Sequence, residues 1–333
     1  MSDVRVDFQN GGMPKNSSLK TGDKNLNLGA LTIVILTTGL FLLLSFTSDT
    51  FFTYRNIYTI FYGVSIEFFA VIGFTYLLIM GEVDLSIGSV YCFSGVMVGF
   101  LMKLDVPLLP AVLISLACCA CFGVITGVLV TKFKANSLMV TIGTMTLIRG
   151  LAWLLTGSMA GSTFDRAFRS LARDKMGSIN TTVIVFILLA IILEITLRRT
   201  SFFKNIFYIG ENLDTAKIYG INADRIKISI FAISSFTAAI GGILIASRIT
   251  HADVTTGIGL EFKMLTAAIL GGASLFGGKG SILRSIIGLI FLATILNGMI
   301  IFNIEPLLQQ FVVGVILIIS VFVDTRLNRA RVS

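Results

Sequence analysis

Apolar runs of roughly 20 residues follow one another along most of this chain, and that is the length a helix needs to cross the hydrocarbon core of a bilayer. Of its 333 residues 55% are hydrophobic and only 13% charged, against roughly 25% charged in soluble domains. The sequence predicts an all-α polytopic membrane protein. Its 27 Phe and 32 Gly suit that class, because Phe faces lipid at little cost and Gly lets helix backbones approach closely.

About ten spans are expected on length and hydropathy. The first five are Leu28–Phe46, Ile57–Met80, Leu85–Met102, Leu108–Val130 and Ser137–Thr156. Thr181–Leu197, Ile228–Ala246, Met264–Phe276, Ile282–Phe302 and Leu307–Val323 follow. The eighth is short, and its Gly-rich sequel to Gly280 suggests a broken or tightly packed helix, tolerated only where neighbouring protein covers the backbone. An even number of spans puts both termini on one side. Lys and Arg gather in the N-terminal tail, at Lys132 and Lys134, between Arg198 and Lys227, at Lys279 and Arg284, and in the C-terminal tail. The positive-inside rule therefore places both termini in the cytoplasm, although Arg166, Arg169, Arg173 and Lys175 in an outer loop run against the bias. The expected organisation is a cytoplasmic tail at 1–27, a permease-like membrane domain at 28–323 with a cytoplasmic loop at 198–227, and a cytoplasmic tail at 324–333. The first tail is polar and carries Arg5, Lys15, Lys20 and Lys24 before any apolar run, unlike a signal peptide.

Several function classes recede on composition. The net charge of +8 lies between apolar runs rather than on one polar face, which suits membrane orientation and not nucleic acid. The four cysteines, Cys92, Cys118, Cys119 and Cys121, all fall in expected spans, and no second pair or nearby His completes the CxxC spacing into a metal or redox site. The single His251 excludes a multi-histidine metal centre. No GxxxxGK[ST] phosphate loop occurs, so no Walker A site and no bound cofactor are expected. None of the loops has room for a catalytic domain.

The informative residues are polar groups at membrane depth, where a charge costs about 2.5–3.5 kcal/mol and usually marks a transport route. Gly81-Glu82-Val83-Asp84-Leu85-Ser86-Ile87-Gly88-Ser89 places such groups between two apolar runs. Asp84 directly precedes the third span, so its carboxylate would cap that helix, with Ser86 as the alternative cap. A place on the cavity wall is compatible with either. Glu67 lies in the middle of the second span, too deep to snorkel, and so faces protein or water as a pathway group or a packed one. Arg149 lies nearer the outer end of the fifth span, where its stem would snorkel to the interface, with Trp153 one turn later in an aromatic belt. Asn297, Gln309 and Gln310 carry amides that would bond either a hydroxyl-rich solute or a neighbouring helix. We place Glu67, Asp84, Ser86 and Asn297 along a translocation path.

In the cytoplasmic loop, the middle of Tyr208 through Asn222 reads as a short helix with Asn212 as its cap and Gly220 as its stop. Leu213, Ala216 and Ile218 give it an apolar face, suited to docking in another protein's groove or to lying on the membrane surface.

Three blocks together resemble the ribose-type sugar permeases of bacterial ATP-binding-cassette (ABC) importers, over nearly the whole chain from the second span onward. They are Gly81 through Ser89; Ile209-Gly210-Glu211-Asn212 through Ala216 to Gly220-Ile221; and Leu270-Gly271-Gly272-Ala273-Ser274-Leu275-Phe276-Gly277-Gly278-Lys279-Gly280. The chain departs from the family pattern at Glu82 and at Glu211, where Gly is usual. Asp84-Leu85-Ser86 tilts the resemblance toward sugars and away from related amino acid and nucleoside permeases. The resemblance implies a subunit of the bacterial inner membrane, without an ATPase site of its own. Its partners would be a cytoplasmic ATPase, an extracytoplasmic solute-binding protein and a second permease subunit, either another copy or a paralogue. It also implies that Glu211, Asn212, Leu213, Ala216, Lys217, Gly220 and Ile221 couple the chain to the ATPase. A polyol, nucleoside, amino acid or sugar-like signal as substrate, or an ion-coupled carrier using Glu67 or Asp84, are the competing readings.

Overall fold

The computed structural model describes residues 18–156, 166–177 and 179–329, with side chains between 31 and 326. The start of the expected N-terminal tail, the outer-loop residues 157–165 and the end of the C-terminal tail lie outside the described residues. The helices of the first half are α1 (Ser18–Thr47), α2 (Tyr54–Ile79), α3 (Ile87–Lys103), α4 (Leu108–Lys132), α5 (Ser137–Thr156) and α6 (Arg166–Arg173). A short antiparallel pair, β1 (Lys175–Met176) and β2 (Ile179–Asn180), leads into α7 (Thr181–Arg199), α8 (Ser201–Glu211) and α9 (Leu213–Ile218). The chain ends with α10 (Ala223–Ile249), α11 (Leu260–Leu270), α12 (Ile282–Ile301) and α13 (Pro306–Arg329).

Among the described residues seven helices, α2, α4, α5, α7, α10, α12 and α13, are long and apolar enough to cross a membrane. The apolar part of α1 and the whole of α3 are shorter. The expected eighth span is corrected: α11 ends at Leu270, and 271–280 is a run of turns. The reason is local, since Gly272, Gly277 and Gly278 all take positive φ, a region open to Gly and closed to a helix of L-residues.

α2 and α10 form the centre. The apolar window of α2 is 83% buried and that of α10 50%, against 11% for α13 and 17% for α5. Small residues allow this closeness. A Cβ on Gly242 of α10 would collide with Tyr91 O of α3, and one on Gly123 of α4 would collide with Phe231 O of α10. The mostly apolar outer faces of α4, α5, α7 and α13 are left for lipid or a partner subunit.

The loop between α5 and α7 was read from sequence only as a basic connection. It folds α6 across one end of α2 and α10: Ser247 Oγ donates to Phe168 O at 2.8 Å and accepts from Ala172 N at 3.0 Å. Tyr62 Oη and Asn180 Nδ2 both donate to Ala172 O, each at 2.7 Å.

Candidate functional site

The three sequence blocks, the first and last of them more than 180 positions apart, meet at one end of the bundle. α2 stops at Met80, Gly81 turns the chain with φ +77°, and Ile79 O accepts Gly278 N at 2.8 Å. Gly210 of α8 fills the remaining gap: a Cβ there would overlap Ile79 O and lie 2.6 Å from Gly278 N. Gly277 abuts Gly210 in turn, with 2.6 Å between its Cβ position and Gly210 O. Three stretches of bare backbone are thus in contact, so a shift of α8 is felt by α2 and by the 271–280 turn. Side chains lock the arrangement. Glu82 pairs with Lys227 on α10, both side chains largely buried. Glu194 of α7 accepts Ile282 N at 2.8 Å and the Ser281 hydroxyl at 3.1 Å, capping α12. Asp324 of α13 accepts Leu275 N at 3.2 Å. Glu82, a departure from the family pattern, gains its reason here, whereas Glu194, Lys227 and Asp324 carried no sequence signal because their partners lie on other elements.

α8 and α9 stand on this junction and form a groove of about 780 Å³. Where one loop helix was expected there are two, and Asn212 caps the second by accepting Thr215 N at 2.9 Å. Gly220 follows the C-terminus of α9 with φ +78°, as the stop signal predicted. Of the expected coupling residues Glu211, Asn212, Ala216 and Ile221 line the groove; Leu213 and Lys217 lie on the same short helix and Gly220 just beyond it. Ile218 and Tyr219 are 84% and 81% exposed, a large apolar surface on a polar segment.

The four expected path residues are not brought together. Glu67 lines a cavity of about 760 Å³ with Glu261, Lys263, Gln309 and Gln310 among its polar lining. Lys263 Nζ sits 2.7 Å from the Glu67 carboxylate, a partner that the sequence did not suggest. Asp84 and Ser86 are buried and line none of these recesses. Asp84 Oδ1 accepts Ser86 N at 2.8 Å and the Ser86 hydroxyl, forming a turn ahead of α3 rather than a cap on its first N–H groups. Asn297 is engaged by Asn56 through two amide bonds of 2.8 and 2.9 Å, so it clasps α12 to α2.

Arg149 is a further correction. Instead of snorkelling, its Nη1 donates at 2.8 Å to both Val254 O and Thr256 O. The segment after α10 dips back into the bundle and brings carbonyls that need donors, and Arg149 supplies them. Cys92 Sγ adds a contact to Val254 O at 3.4 Å. At the outer end of that segment the Asp253 carboxylate accepts Thr255 N at 2.9 Å and the Thr255 hydroxyl at 2.6 Å, which holds its pKa below the usual carboxylate value.

Residues 56–321 match the family model described as branched-chain amino acid transport system / permease component. The chain is 30% identical over 307 residues to the L-arabinose ABC transporter permease protein AraH of Azospirillum brasilense, covering 92% of this chain and 90% of that one. It is 31% identical over 314 residues to the autoinducer 2 import system permease protein LsrC of Photorhabdus luminescens, covering 94% and 93%. It is 29% identical over 292 residues to the ribose import permease protein RbsC of Escherichia coli K12, covering 85% and 90%. No solved structure matches. With its three motif blocks joined at one junction and the match running from α2 into α13, the chain belongs to the branched-chain amino acid transport system permease family, as a ribose-type permease within it.

Proposed function

We propose that this chain is the path-forming subunit of an ABC importer in a bacterial inner membrane, carrying a sugar inward with both its termini in the cytoplasm. A separate ATPase would dock in the groove of α8 and α9. An extracytoplasmic binding protein would deliver the sugar to the outer end, where α6 presents Arg166, Arg169 and Arg173. A second permease subunit would complete the path. The exposed face of α5 supports such packing, since Gly143 has nothing within 4 Å of an added Cβ.

The observation that carries this reading is the junction itself. A docked ATPase can drive transport only by contacting two states of the permease differently. Backbone contacts through Gly210, Gly277 and Gly278 tie the docking groove to the end of α2, whose middle carries Glu67 and the cavity. Glu67 stands on the path, while Asp84, Ser86 and Asn297 hold its walls in place. The sugar assignment rests on the AraH and RbsC relatives. The LsrC relative favours a sugar-like signal as the second substrate class. An ion-coupled carrier fits less well, because Glu67 already holds Lys263 as its counter-ion.

The test is reconstitution with the cognate ATPase and binding protein, recording ATP hydrolysis against sugars, polyols, nucleosides, autoinducer 2 and amino acids. Stimulation by a sugar-loaded binding protein is expected. Ion-driven uptake by this chain alone, with no associated ATPase, would overturn the proposal.

A further inference from the structure

On the other side of the segment that carries Glu261, a second recess of about 400 Å³ lies between α3, α5 and the return from α10. Ser89, Arg149, Trp153 and Glu261 give it its polar and aromatic surface, with Thr146 and Gly150 at the exposed side. Ser89 is fully buried and Glu261 only 6% exposed, yet Ser89 Oγ and Glu261 Oε2 have no hydrogen-bond partner among the described residues. Unpaired buried polar atoms are costly to a fold, and where two of them border one recess a bound molecule or water is the partner that would complete them. The motif block makes room for one of them. Gly88 has no side chain where Glu261 Oε2 and Gly257 O crowd its Cβ position.

The recess joins one guanidinium and one carboxylate, so its formal charges cancel, and it offers donors and acceptors side by side. That pattern suits a neutral ligand whose groups both donate and accept, which describes a hydroxyl. Arg149 is fixed by its two carbonyl bonds and costs little to order on binding. Trp153, the only tryptophan of the chain and 59% exposed, adds a flat apolar face with one N–H at its edge. The C–H face of a sugar ring stacks on such a surface.

We propose that Ser89, Arg149, Trp153 and Glu261 form a subsite that holds one sugar ring during passage, an assignment that rests on the sugar-importer reading above. Its affinity is low, because a transport site must release what it binds. The second, larger cavity with its Glu67–Lys263 pair lies across the 256–261 segment, and Glu261 lines both, so movement of that segment would pass a ligand from one to the other.

The sole tryptophan provides the assay. The full chain in liposomes is titrated with L-arabinose and with ribose at millimolar levels, against leucine, while Trp153 emission is followed. A saturable change with a sugar is expected, and Ser89→Ala and Glu261→Gln should each weaken it about tenfold, the loss of one hydrogen bond to the ligand. Ser89→Ala is the decisive variant: its hydroxyl has no partner in the fold, so the unfolding temperature should not move while the sugar response does. A silent Trp153, a response unaltered by both variants, or an equal response to leucine would overturn the subsite. If sugar-loaded binding protein still stimulates ATP hydrolysis by the reconstituted complex, only the subsite has failed; if no sugar stimulates it, the transport reading itself has failed.

Discussion

Replacing Gly210 by Ala tests the junction on which the coupling argument stands. The added methyl would overlap Ile79 O and sit 2.6 Å from Gly278 N, the two ends of a 2.8 Å hydrogen bond. Both obstacles are backbone atoms and cannot rotate away, so α8 must move or the bond must open. Overpacking of this kind costs about 1–3 kcal/mol, and the lost hydrogen bond adds about 0.5–1.5 kcal/mol. The expected total is about 2–4 kcal/mol, which at an unfolding entropy of about 2.1 cal/mol/K per residue lowers Tm by about 3–6 °C. Thermal unfolding in detergent, followed by size-exclusion chromatography, reads the stability. ATP hydrolysis and uptake by the reconstituted complex read the coupling, and uptake should fall further than hydrolysis. Gly39→Ala is the control, because nothing lies within 4 Å of its added Cβ and Ala is the better helix former. A Gly210→Ala protein with wild-type Tm and wild-type coupling would refute the reasoning.

Gly220→Pro should uncouple ATP hydrolysis from uptake without loss of insertion, because proline neither adopts φ +78° nor supplies the N–H that Gly220 donates to Lys217 O; normal uptake would count against α9 as the docking helix. Glu67→Gln leaves part-buried Lys263 without its counter-ion and should destabilise by about 1–3 kcal/mol, while the Glu67→Gln, Lys263→Met double variant recovers most of that, as thermal unfolding would report. Asn297→Ala should cost about 0.6–1.7 kcal/mol through loss of the amide clasp to Asn56, with an unchanged KM for uptake. A raised KM would return Asn297 to the path.

Helix positions were legible where a run was apolar and bounded by clear signals: α4 begins at the expected Leu108 and α5 matches Ser137–Thr156, whereas α1 starts ten residues before the expected Leu28. The eighth span was drawn too long at its C-terminal end because length alone carried it past Gly271 and Gly272, although the Gly-rich sequel already suggested the break that the fold uses. The cap at Asn212 and the stop at Gly220 were legible because both are local signals. The surroundings of the buried polar groups were less legible. Glu67 stood out by its depth, but Glu261 and Lys263 fell between the expected seventh and eighth spans and drew no notice, and Asp84 and Asn297 engage backbone and a neighbouring helix.

The sequence alone determined the all-helical membrane class and the positions of most helices, because lipid forces each segment to satisfy its own backbone and so writes its length into the local hydropathy. Only the tertiary structure decided the partner of each buried polar group. Glu67 with Lys263, Glu82 with Lys227, Asn56 with Asn297 and Arg149 with the Val254 carbonyl lie 196, 145, 241 and 105 positions apart. Such pairs depend on how helices cross, and crossing is set by close backbone approach at small residues such as Gly210 and Gly242, whose contacts no local pattern records.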